Sequence, residues 1–502
     1  MKILTAQQTR EADAYTIKNE LIKSIDLMER ASRKCADWLM NKFDQTITFT
    51  FFCGVGNNGG DGLAIARMLK QNGYEIMVFG VCFSEKHTPD FDTNLSRIKT
   101  IGINPILLTE KEYQFILSQK TVVIDAIFGS GLARPIDGFV AEIIYKINNT
   151  DVDIIAIDIP SGLFSTSNIN NNLDNIIHAN YTLTFQQPKL TMMFPENFRF
   201  VGEFEILDIG LHQEFLNKVS TSYYYLTLDL IKTILHQREK FSHKGNYGHA
   251  LLIAGSKGKM GAGVLSARAC LRTGVGLLTV LIPKNGVQII QTTVPEAMCI
   301  GDAADNYISV LPDITNFDGV GIGPGLGKEK PTQNVLKLLI QNSIYPLVID
   351  ADAINIISEN LTWLSFIPQN SILTPHPKEF ERLVGKWSTD EERLEKQKVL
   401  STKKKLIVVL KGANTSISLP DGTVYFNSTG NAGMATGGSG DVLTGMLTSL
   451  LAQGYLPKEA AIFGVYLHGL AGDIAKNKVG INSLLASDII NCISNAYKKL
   501  TN

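Results

Sequence analysis

The chain has 502 residues, 44% of them hydrophobic and 19% charged, and its formal net charge is −1. This composition is ordinary for a globular enzyme of two to four domains, and it offers no basic surface for nucleic acid or acidic membranes. The six cysteines form no C-x-x-C pair, which favours reduced thiols over a disulfide framework or a zinc site. The first residues lack a signal-peptide pattern and no run of 18 apolar residues occurs. We therefore expect a cytoplasmic protein that binds neither nucleic acid nor membrane.

The first half of the chain alternates predicted helices with buried strands. We predict helix over residues 5–43, a strand from Ile47 to Cys53, a glycine-rich loop at 54–62 and a helix from Leu63 to Gln71. The loop formally contains G-x-G-x-x-G between a strand and a helix, which is the context of a dinucleotide fingerprint. The next strand, at 75–83, ends without the acidic residue that would hold a ribose. We therefore predict no standard NAD cofactor site, although such a turn still suits a phosphate-bearing substrate.

Two later strands of the first half end in polar side chains. Asp125 ends one strand, and Asp158 and Ser161 follow another in the sequence Asp-Ile-Pro-Ser-Gly. Ligands of open parallel sheets bind at the carboxyl ends of the strands, so we expect these three residues to converge with Asn58. Each aspartate alone is also compatible with simple capping of a turn. Their joint occurrence with the 54–62 loop favours a binding site.

Taken together, these stretches resemble the NAD(P)HX epimerase family over residues 1–215. The matching segments are Gly-Asn-Asn-Gly-Gly-Asp-Gly at 56–62, Phe-Gly-Ser-Gly-Leu at 128–132, Asp-Ile-Pro-Ser-Gly at 158–162 and Thr-Leu-Thr-Phe-Gln-Gln-Pro-Lys at 182–189. The resemblance implies a Rossmann-like three-layer α/β/α domain that interconverts the two C6 epimers of hydrated NADH or NADPH. It also implies that Asp158 is the acid–base residue and that Asn58, Asp125 and Ser161 hold a potassium ion. The substrate contacts that it implies are Asn57, Asn58, Gly59, Gly60, Asp61, Gly129, Ser130, Gly131, Leu132, Ala133, Arg134, Pro135, Asp158 and Lys189.

The second half is predicted to be another α/β unit, with a linker near 210–222 and a first strand beginning at Gly248. Leu228 to His236 is compatible with a short helix, and a further helix is predicted from Met260 to Thr273. Polar or glycine-rich segments again follow the strands, at 255–263, 321–327, 348–353, 374–379 and 410–415.

Residues 430–445 form the most informative segment of the second half. Gly437, Gly438 and Gly440 allow backbone N–H groups to approach an anion at the start of an apolar helix, and Asp441 lies in its first turn. Phosphoryl transfer to a hydroxyl needs this pair of a charge-stabilising pocket and a proton acceptor. A glycine-rich turn that only caps a core helix is the alternative. The chain contains no Walker motif, so the segment indicates a different class of phosphoryl-transfer fold.

These motifs resemble, over residues 222–502, the ribokinase-like fold and specifically the ADP-dependent NAD(P)HX dehydratases. The resemblance implies contacts to the hydrated dinucleotide from Ala262, Gly325, His376 and Asp441. It implies contacts to ADP from Lys411, Gly412, Ala413, Asn414, Thr415 and Gly440. A divalent ion such as Mg²⁺ is compatible with this site, but the sequence does not decide whether it is needed.

The sequence therefore predicts a bifunctional nicotinamide-nucleotide repair enzyme of two α/β domains, at 1–215 and 222–502. The first would convert (6R)- to (6S)-NAD(P)HX. The second would phosphorylate the C6 hydroxyl of the 6S form from ADP, with Asp441 as base, and loss of phosphate would restore NAD(P)H and leave AMP. A small-molecule kinase for a vitamin or sugar alcohol, with an accessory nucleotide-binding domain, is the alternative. A non-catalytic first half is a third possibility, which Asp158 beside Asp125 and Ser161 argues against. We also expect a homo-oligomer.

Overall fold

The computed structural model describes residues 1–118 and 120–501, which form two compact units. One unit is Lys2–Thr221, and the other runs from Ser222 onward and includes Met1. Within these described residues, no helix has the length and apolar character that crossing a membrane requires. We refer to the two units as the first and second domains.

The first domain is a seven-stranded parallel sheet in the order β3-β2-β1-β4-β5-β6-β7. Its strands are β1 Thr48–Cys53, β2 Glu75–Val81, β3 Ile106–Leu108, β4 Thr121–Ala126, β5 Ile154–Ile157, β6 Tyr181–Phe185 and β7 Glu203–Leu207. Its helices are α1 Ala6–Glu20, α2 Ser24–Lys42, α3 Asn57–Gln71, α4 Pro89–Thr100, α5 Gly138–Asn148, α6 Phe198–Val201 and α7 Gln213–Lys218.

Helices cover both faces of this sheet. Successive residues of a strand point to opposite faces, and Phe51 and Phe52 of β1 accordingly belong to two separate hydrophobic clusters. One cluster includes residues of α2, α3 and α4, and the other includes residues of α5. The domain is therefore a three-layer α/β/α structure, as the sequence predicts. The strand order reverses between β1 and β4, which is where ligands bind in sheets of this type.

The second domain contains a ten-stranded sheet in the order β11-β10-β9-β12-β13-β14-β15-β16-β17-β8. Neighbouring strands are parallel except where β16 pairs with β15 and β17. Its strands are β8 Tyr223–Tyr225, β9 His249–Ile253, β10 Leu277–Ile282, β11 Met298–Gly301, β12 Gly319–Ile322, β13 Leu347–Ile349, β14 Ile372–Leu373, β15 Ile407–Leu410, β16 Ser416–Ser418 and β17 Val424–Phe426. Its helices are α8 Leu228–Ile234, α9 Met260–Arg272, α10 Val287–Thr293, α11 Lys330–Asn342, α12 Ala351–Glu359, α13 Pro377–Val384, α14 Asp390–Lys404, α15 Ser439–Ala452, α16 Pro457–Val479 and α17 Ala486–Thr501.

Both faces of the second sheet are also covered by helices. Val348 packs in a cluster with residues of α15, α16 and α17, whereas its neighbour Ile349 packs in a cluster with residues of α11 and α12. The strand order reverses between β9 and β12. This reversal opens a second crevice at the carboxyl ends of the strands.

Three local expectations from the sequence differ from the structure. The single helix predicted over 5–43 is two helices, because Leu21 adopts a left-handed conformation with φ of 55° and ends α1. The helix predicted from Leu63 begins at Asn57, so most of the predicted glycine loop is the first part of α3. Residues 223–225, near the predicted linker, form a strand that pairs with β17.

Candidate active sites

The turn after β1 brings the start of α3 against the end of the sheet. A Cβ atom at Gly59 would lie 1.8 Å from the carbonyl oxygen of Gly54, so only glycine permits this approach of helix and strand. The first turn of α3 then exposes Asn57 and buries Asn58 and Asp61. The free N–H groups of this helix start face the crevice between β1 and β4, where an anion is favoured.

Asp125 and Ser161 form a buried hydrogen-bonded pair at the end of β4. Oδ2 of Asp125 accepts from the Ser161 backbone N–H at 2.7 Å, and Oδ1 accepts from the Ser161 hydroxyl at 2.6 Å. Burial raises the pKa of Asp125 to about 6, and these hydrogen bonds oppose the rise. A bound cation would favour the ionised carboxylate further.

Asn58 is linked to the Asp125–Ser161 pair by hydrogen bonds through the backbone of Phe128. Its Nδ2 donates to the Phe128 carbonyl oxygen at 3.0 Å, and the Phe128 N–H donates to Oγ of Ser161 at 2.8 Å. The structure therefore brings together the three residues predicted to hold potassium. Their side chains offer one carboxylate, one hydroxyl and one amide oxygen. Within the described residues, no group of three or more His, Cys, Asp or Glu side chains is placed to hold a metal ion, and this set contains only one such side chain.

Asp158 lies after β5 in a strained backbone conformation, with φ of 66°. Such a conformation costs a residue other than glycine about 1–3 kcal/mol and is concentrated at functional sites. Its carboxylate, 7% exposed as a residue, accepts from Lys189 Nζ at 2.5 Å and from the Ser130 N–H at 3.2 Å. Burial alone would raise the pKa of Asp158, but the charge and hydrogen bond of Lys189 outweigh it and lower the pKa. Asp158 is therefore an ionised carboxylate in a nearly dry site.

Lys189 is buried to the same degree as Asp158 and is fully hydrogen-bonded. Its Nζ also donates to Oγ1 of Thr184 at 2.8 Å and approaches the carbonyl oxygens of Phe185 and Gln187. The sequence names Lys189 as a substrate contact. The structure shows in addition that Lys189 is the counter-charge that keeps Asp158 ionised.

The 129–135 segment only partly enters this cluster. A Cβ atom at Gly129 would contact Asn58, and Ser130 contacts Asp158, so the first two residues lie beside the predicted site. Ala133, Arg134 and Pro135 are exposed, and Leu132 is half-buried. The later residues of the segment therefore form a rim that is available to a large substrate.

The second crevice is lined by the glycine loops after β9 and β12. The Gly255 N–H donates to the Pro324 carbonyl oxygen at 2.9 Å, and Oγ of Ser256 donates to the Gly325 carbonyl oxygen at 2.7 Å. A Cβ atom at Gly325 would lie 3.0 Å from Cβ of Ala262 in the first turn of α9. Two of the predicted dinucleotide contacts therefore adjoin each other.

Asp441 lies in the first turn of α15, as the sequence predicts. The N-cap of this helix is Gly438, whose φ of 90° is easily reached only by glycine. Burial and the nearby charges of Asp350 and Asp352 raise the pKa of Asp441 to about 7, and Lys411 opposes the rise. A carboxylate with this pKa is poised to accept a proton near neutral pH.

Lys411 and Asp350 connect α15 with the strand ends. Lys411 Nζ lies 2.8 Å from Oδ1 of Asp350, and the Thr444 hydroxyl donates to Oδ2 at 2.7 Å. A Cβ atom at Gly440 would lie 3.2 Å from Lys411 Nζ. Two predicted ADP contacts, Lys411 and Gly440, are thus brought together, whereas Gly412 and Ala413 lie exposed in the adjoining turn.

His376 is the N-cap of α13. Its Nδ1 accepts from the N–H groups of Lys378 and Glu379, and the Glu379 carboxylate accepts from the His376 N–H at 2.9 Å. Burial and the Lys411 and Arg382 charges lower the pKa of His376, so the ring is neutral at pH 7. Its side chain is 44% exposed, and its other ring nitrogen, Nε2, lies 3.3 Å from Oε1 of Glu379.

The structure adds functional candidates that sequence reasoning did not single out. Asp350 belongs to the polar segment 348–353 and lies directly after β13, where it pairs with Lys411. Asp13, in the middle of α1, carries a pKa raised to about 7 by burial and by Asp158, with Lys189 opposing. No sequence pattern marked Asp13, because a single aspartate in a helix normally faces solvent.

Residues 24–191 match the family model described as YjeF-related protein N-terminus, and residues 250–495 match the model described as NAD(P)H-hydrate dehydratase.

Full-length relatives match along nearly the whole chain. The bifunctional NAD(P)H-hydrate repair enzyme of Moorella thermoacetica is 35% identical over 100% of this chain and 97% of its own length. The enzyme of the same name from Thermofilum pendens is 34% identical over 97% of this chain and 94% of its own.

A solved structure matches the second domain. The ADP/ATP-dependent NAD(P)H-hydrate dehydratase of Bacillus subtilis, co-crystallised with ATP and Mg²⁺, is 30% identical with a TM-score of 0.50. The match covers 55% of this chain and 98% of that one.

Proposed function

This chain belongs to the family of bifunctional NAD(P)H-hydrate repair enzymes, and from this membership we propose how its residues carry out the two reactions. The enzyme epimerises (6R)- to (6S)-NAD(P)HX and dehydrates the 6S form to NAD(P)H at the expense of ADP, giving AMP and phosphate. The second domain is ribokinase-like. A vitamin or sugar-alcohol kinase is not favoured, because the relatives match across both domains.

The residue assignments rest on one observation. At the strand-order reversal of each sheet, a carboxylate adjoins a helix start with free N–H groups. This pairing supplies a proton-transfer group beside a site for phosphate. The 6R and 6S forms of NAD(P)HX both carry phosphate, and both react at a ring carbon that bears a hydroxyl group. Both reactions therefore need a proton-transfer group beside a site for phosphate.

In the epimerase domain, Asp158 is the acid–base residue. Lys189 and the Ser130 N–H hold its carboxylate ionised and fixed in position. The start of α3, from Asn57 to Asp61, receives a phosphate of the dinucleotide. The 129–135 segment lines the other side of the substrate.

A potassium ion is proposed beside this site, held by Asn58, Asp125 and Ser161. The oxygen-only donor set with one carboxylate suits a large monovalent cation, since cavity size and charge count select among hard cations. The ion would balance charge between Asp125 and the substrate phosphate. The side chains themselves position the Phe128–Ser130 backbone for contact with the substrate.

In the dehydratase domain, Asp441 is the base that takes the proton of the C6 hydroxyl as it attacks the transferred phosphoryl group. The backbone N–H groups of Gly437, Gly438 and Gly440 stabilise the charge of that group, and Lys411 neutralises the nucleotide phosphates. The ring nitrogen then expels the C6 phosphate to give an iminium ion, and loss of a proton from C5 forms the C5–C6 double bond and restores the reduced nicotinamide. Ala262, Gly325 and His376 position the hydrated ring.

The nucleotide is ADP or ATP, and we propose that ADP is preferred. Mg²⁺ fits this site through the nucleotide phosphates and few protein ligands, as is usual for this ion. Asp350 is already bonded to Lys411 and Thr444, and Asp352 is bonded to Lys259 and the Gly327 N–H. Asp350 and Asp352 are therefore both engaged, and the residues that the structure describes form no carboxylate cage for Mg²⁺.

Two further proposals concern the protein as a whole. All six cysteines are free thiols in the structure, which supports a reducing compartment such as the cytoplasm. Self-association into a homo-oligomer remains a prediction, and light scattering after size-exclusion chromatography tests it.

The test of the proposed function is a coupled assay. Full-length protein is mixed with a 6R/6S mixture of NADHX and ADP, and the absorbance of reduced nicotinamide is followed to completion. Complete conversion of both epimers supports the proposal, and the Asp158→Asn variant should leave the 6R share to convert only at the uncatalysed rate. A stable phosphorylated product without recovery of NADH would overturn the proposal.

A further inference from the structure

Asp13 is a half-buried residue that takes part neither in the capping of its helix nor in the buried face of that helix. Helix α1 begins with a complete capping box between Thr5 and Gln8, and its buried face consists of Ala12 and Thr16. Asp13 lies beside that face in the middle of the helix. Within the described residues, it makes no hydrogen bond or ion pair.

The surroundings of Asp13 are those of the epimerase site. The charges of Asp158 and Lys189 act on it, and its own charge acts on Asp61. One turn earlier on the same helix face, Arg10 lies beside the 129–135 segment, since a Cβ atom at Gly131 would be 3.7 Å from Arg10 Nη1. Helix α1 therefore lies alongside the substrate segment, and Asp13 is close enough to Asp158 and Lys189 for their charges to act on it.

Asp13, Asp61 and Asp158 thus interact with one another, and their protonation states differ. Of these three carboxyl groups, Asp158 is the one bonded to Lys189 within the described residues, and Lys189 lowers its pKa. Burial, followed by the charge of Asp158, raises the pKa of Asp13 to about 7. Burial raises the pKa of Asp61 well above its ordinary value, where Asp158, Asp13 and Asp90 add to the effect and Ser32 opposes it.

Asp61 and Asp13 differ in accessibility. Asp61 is buried and accepts from the Ser32 hydroxyl at 3.2 Å, so it serves the packing of α2 on α3. Asp13 has no such partner and is only half-buried. Two titratable groups in one site whose environments separate their pKa values make a natural acid–base pair. Asp158 is the ionised member, and Asp13 is the one that carries a proton.

Epimerisation at C6 needs both members. The C6 carbon bears a hydroxyl group and the ring nitrogen N1, so its configuration is lost when the C6–N1 bond opens to an aldehyde. A base must take the hydroxyl proton, and an acid must give a proton to N1 as N1 receives the electron pair of the broken bond. Rotation about C5–C6 followed by the reverse transfers closes the ring with the opposite configuration and restores both groups.

We propose that Asp13 is a second catalytic residue of the epimerase domain, which delivers a proton to N1 during ring opening and recovers it on closure. Asp158 handles the hydroxyl proton, so this inference rests on the role proposed above for Asp158. The two carboxyl groups come from different elements, α1 and the turn after β5. They can therefore address two different atoms of one ring.

The test compares Asp13→Asn with Glu11→Gln in the full-length protein. Glu11 is an exposed carboxylate on the same helix, whose partner is Gln7. Interconversion of (6R)- and (6S)-NADHX is followed without ADP by chromatography, and the rate without enzyme is subtracted. Asp13→Asn should lower the epimerase kcat about 10²–10⁴-fold with little change in KM, because it removes a proton-transfer group. Glu11→Gln should change neither constant.

The pH profile separates catalysis from structure. The wild-type epimerase kcat should fall as the pH rises above about 7, where Asp13 loses its proton, and the residual rate of Asp13→Asn should lack this decline. Thermal stability of Asp13→Asn at pH 8 should equal or exceed that of the wild type, because the variant avoids burying a charge. Dehydration of (6S)-NADHX with ADP should be unchanged.

The outcomes that contradict the inference are distinct from those that contradict the proposed function. If Asp158→Asn is inactive but Asp13→Asn keeps more than about a tenth of the wild-type kcat, Asp13 is not the acid. A loss of activity with an unchanged pH decline, or with lower thermal stability, would also overturn the role of Asp13. If Asp158→Asn itself retains full epimerase activity, the proposed function of that site fails first.

Discussion

The Lys411 ammonium lies 2.8 Å from the Asp350 carboxylate and thereby joins the ends of β15 and β13 across the intervening strand β14. Asp350 is almost fully buried, and Lys411 is mostly so. The pair has two consequences. It positions the Lys411 ammonium beside the start of α15, and it holds a charge near Asp441 that affects the pKa of Asp441.

Removal of Lys411 should destabilise the second domain. Lys411→Met leaves the buried Asp350 charge with only Thr444 as partner, and breaking one side of a buried ion pair typically costs about 3–5 kcal/mol. The measurement is urea unfolding followed by tryptophan fluorescence in a Trp38→Phe background, so that Trp363 and Trp387 report on the second domain alone.

Two variants control this experiment. Adding Asp350→Asn to Lys411→Met should restore most of the lost stability, because no buried charge is left unpaired. Lys328→Met removes a surface partner of Glu359 and should change stability by less than about 1 kcal/mol. Equal effects of Lys411→Met and Lys328→Met would show that the buried pair does not stabilise the domain.

Asp441→Asn should abolish dehydration and leave epimerisation intact. The side chain keeps its size but cannot accept the C6 hydroxyl proton, and loss of a general base typically lowers the rate about 10²–10⁴-fold. Product formation from (6S)-NADHX and ADP measures the first activity, and conversion of 6R to 6S measures the second. Retention of more than about a tenth of the dehydratase turnover would exclude Asp441 as the base.

The dehydratase rate should rise with pH through about 7 and then level off. Asp441 must be ionised to act as base, and its pKa is raised to about 7 by burial and by Asp350 and Asp352. The effect on stability has the opposite sign. A carboxyl whose pKa is higher in the folded state favours folding below its ordinary value of 3.8, and this contribution is lost as the pH rises to about 7. A pH-independent kcat on both sides of pH 7 would contradict this assignment.

The sequence predicts the strand-end residues well because the geometry of a parallel sheet brings them together. Asp125 and Asp158 each come at the end of a buried apolar run, and the carboxyl ends of parallel strands share one edge. Their convergence therefore needed no knowledge of side-chain contacts. The structure gives the positions of these residues, whereas their roles in catalysis and binding remain predictions.

Residues brought in by tertiary packing escaped sequence reasoning. Asp13 has no periodic or strand-end signal, and only the packing of α1 beside the 129–135 segment gives it a role. Leu21 ends the first part of the predicted long helix in a left-handed conformation that leucine rarely adopts. The sequence has no glycine or asparagine at this position that would predict the end of the helix. The sequence predicts a start of α3 that is too late, because glycine disfavours a helix. In the structure, the close contact of Gly59 with Gly54 requires a glycine in this first turn.

ADP should support turnover with a higher kcat/KM than ATP. The prediction follows from the resemblance to ADP-dependent enzymes. Initial rates with (6S)-NADHX and varied ADP or ATP, both with Mg²⁺, provide the comparison. A kcat/KM for ATP equal to or above that for ADP would reverse it.

Potassium should stabilise the first domain specifically. A ligand that binds only the folded state stabilises it by about 2.7 kcal/mol at a hundredfold excess over its Kd, which hydrogen exchange detects locally. Exchange in β4 and in residues 158–163 should slow in potassium chloride relative to choline chloride of equal ionic strength. Asp125→Asn should lose this response and raise the epimerase KM, because the carboxylate is the charged ligand. Asp158→Asn should keep the response and lose kcat instead. Equal protection in both salts for the wild-type protein would exclude a potassium site at Asn58, Asp125 and Ser161.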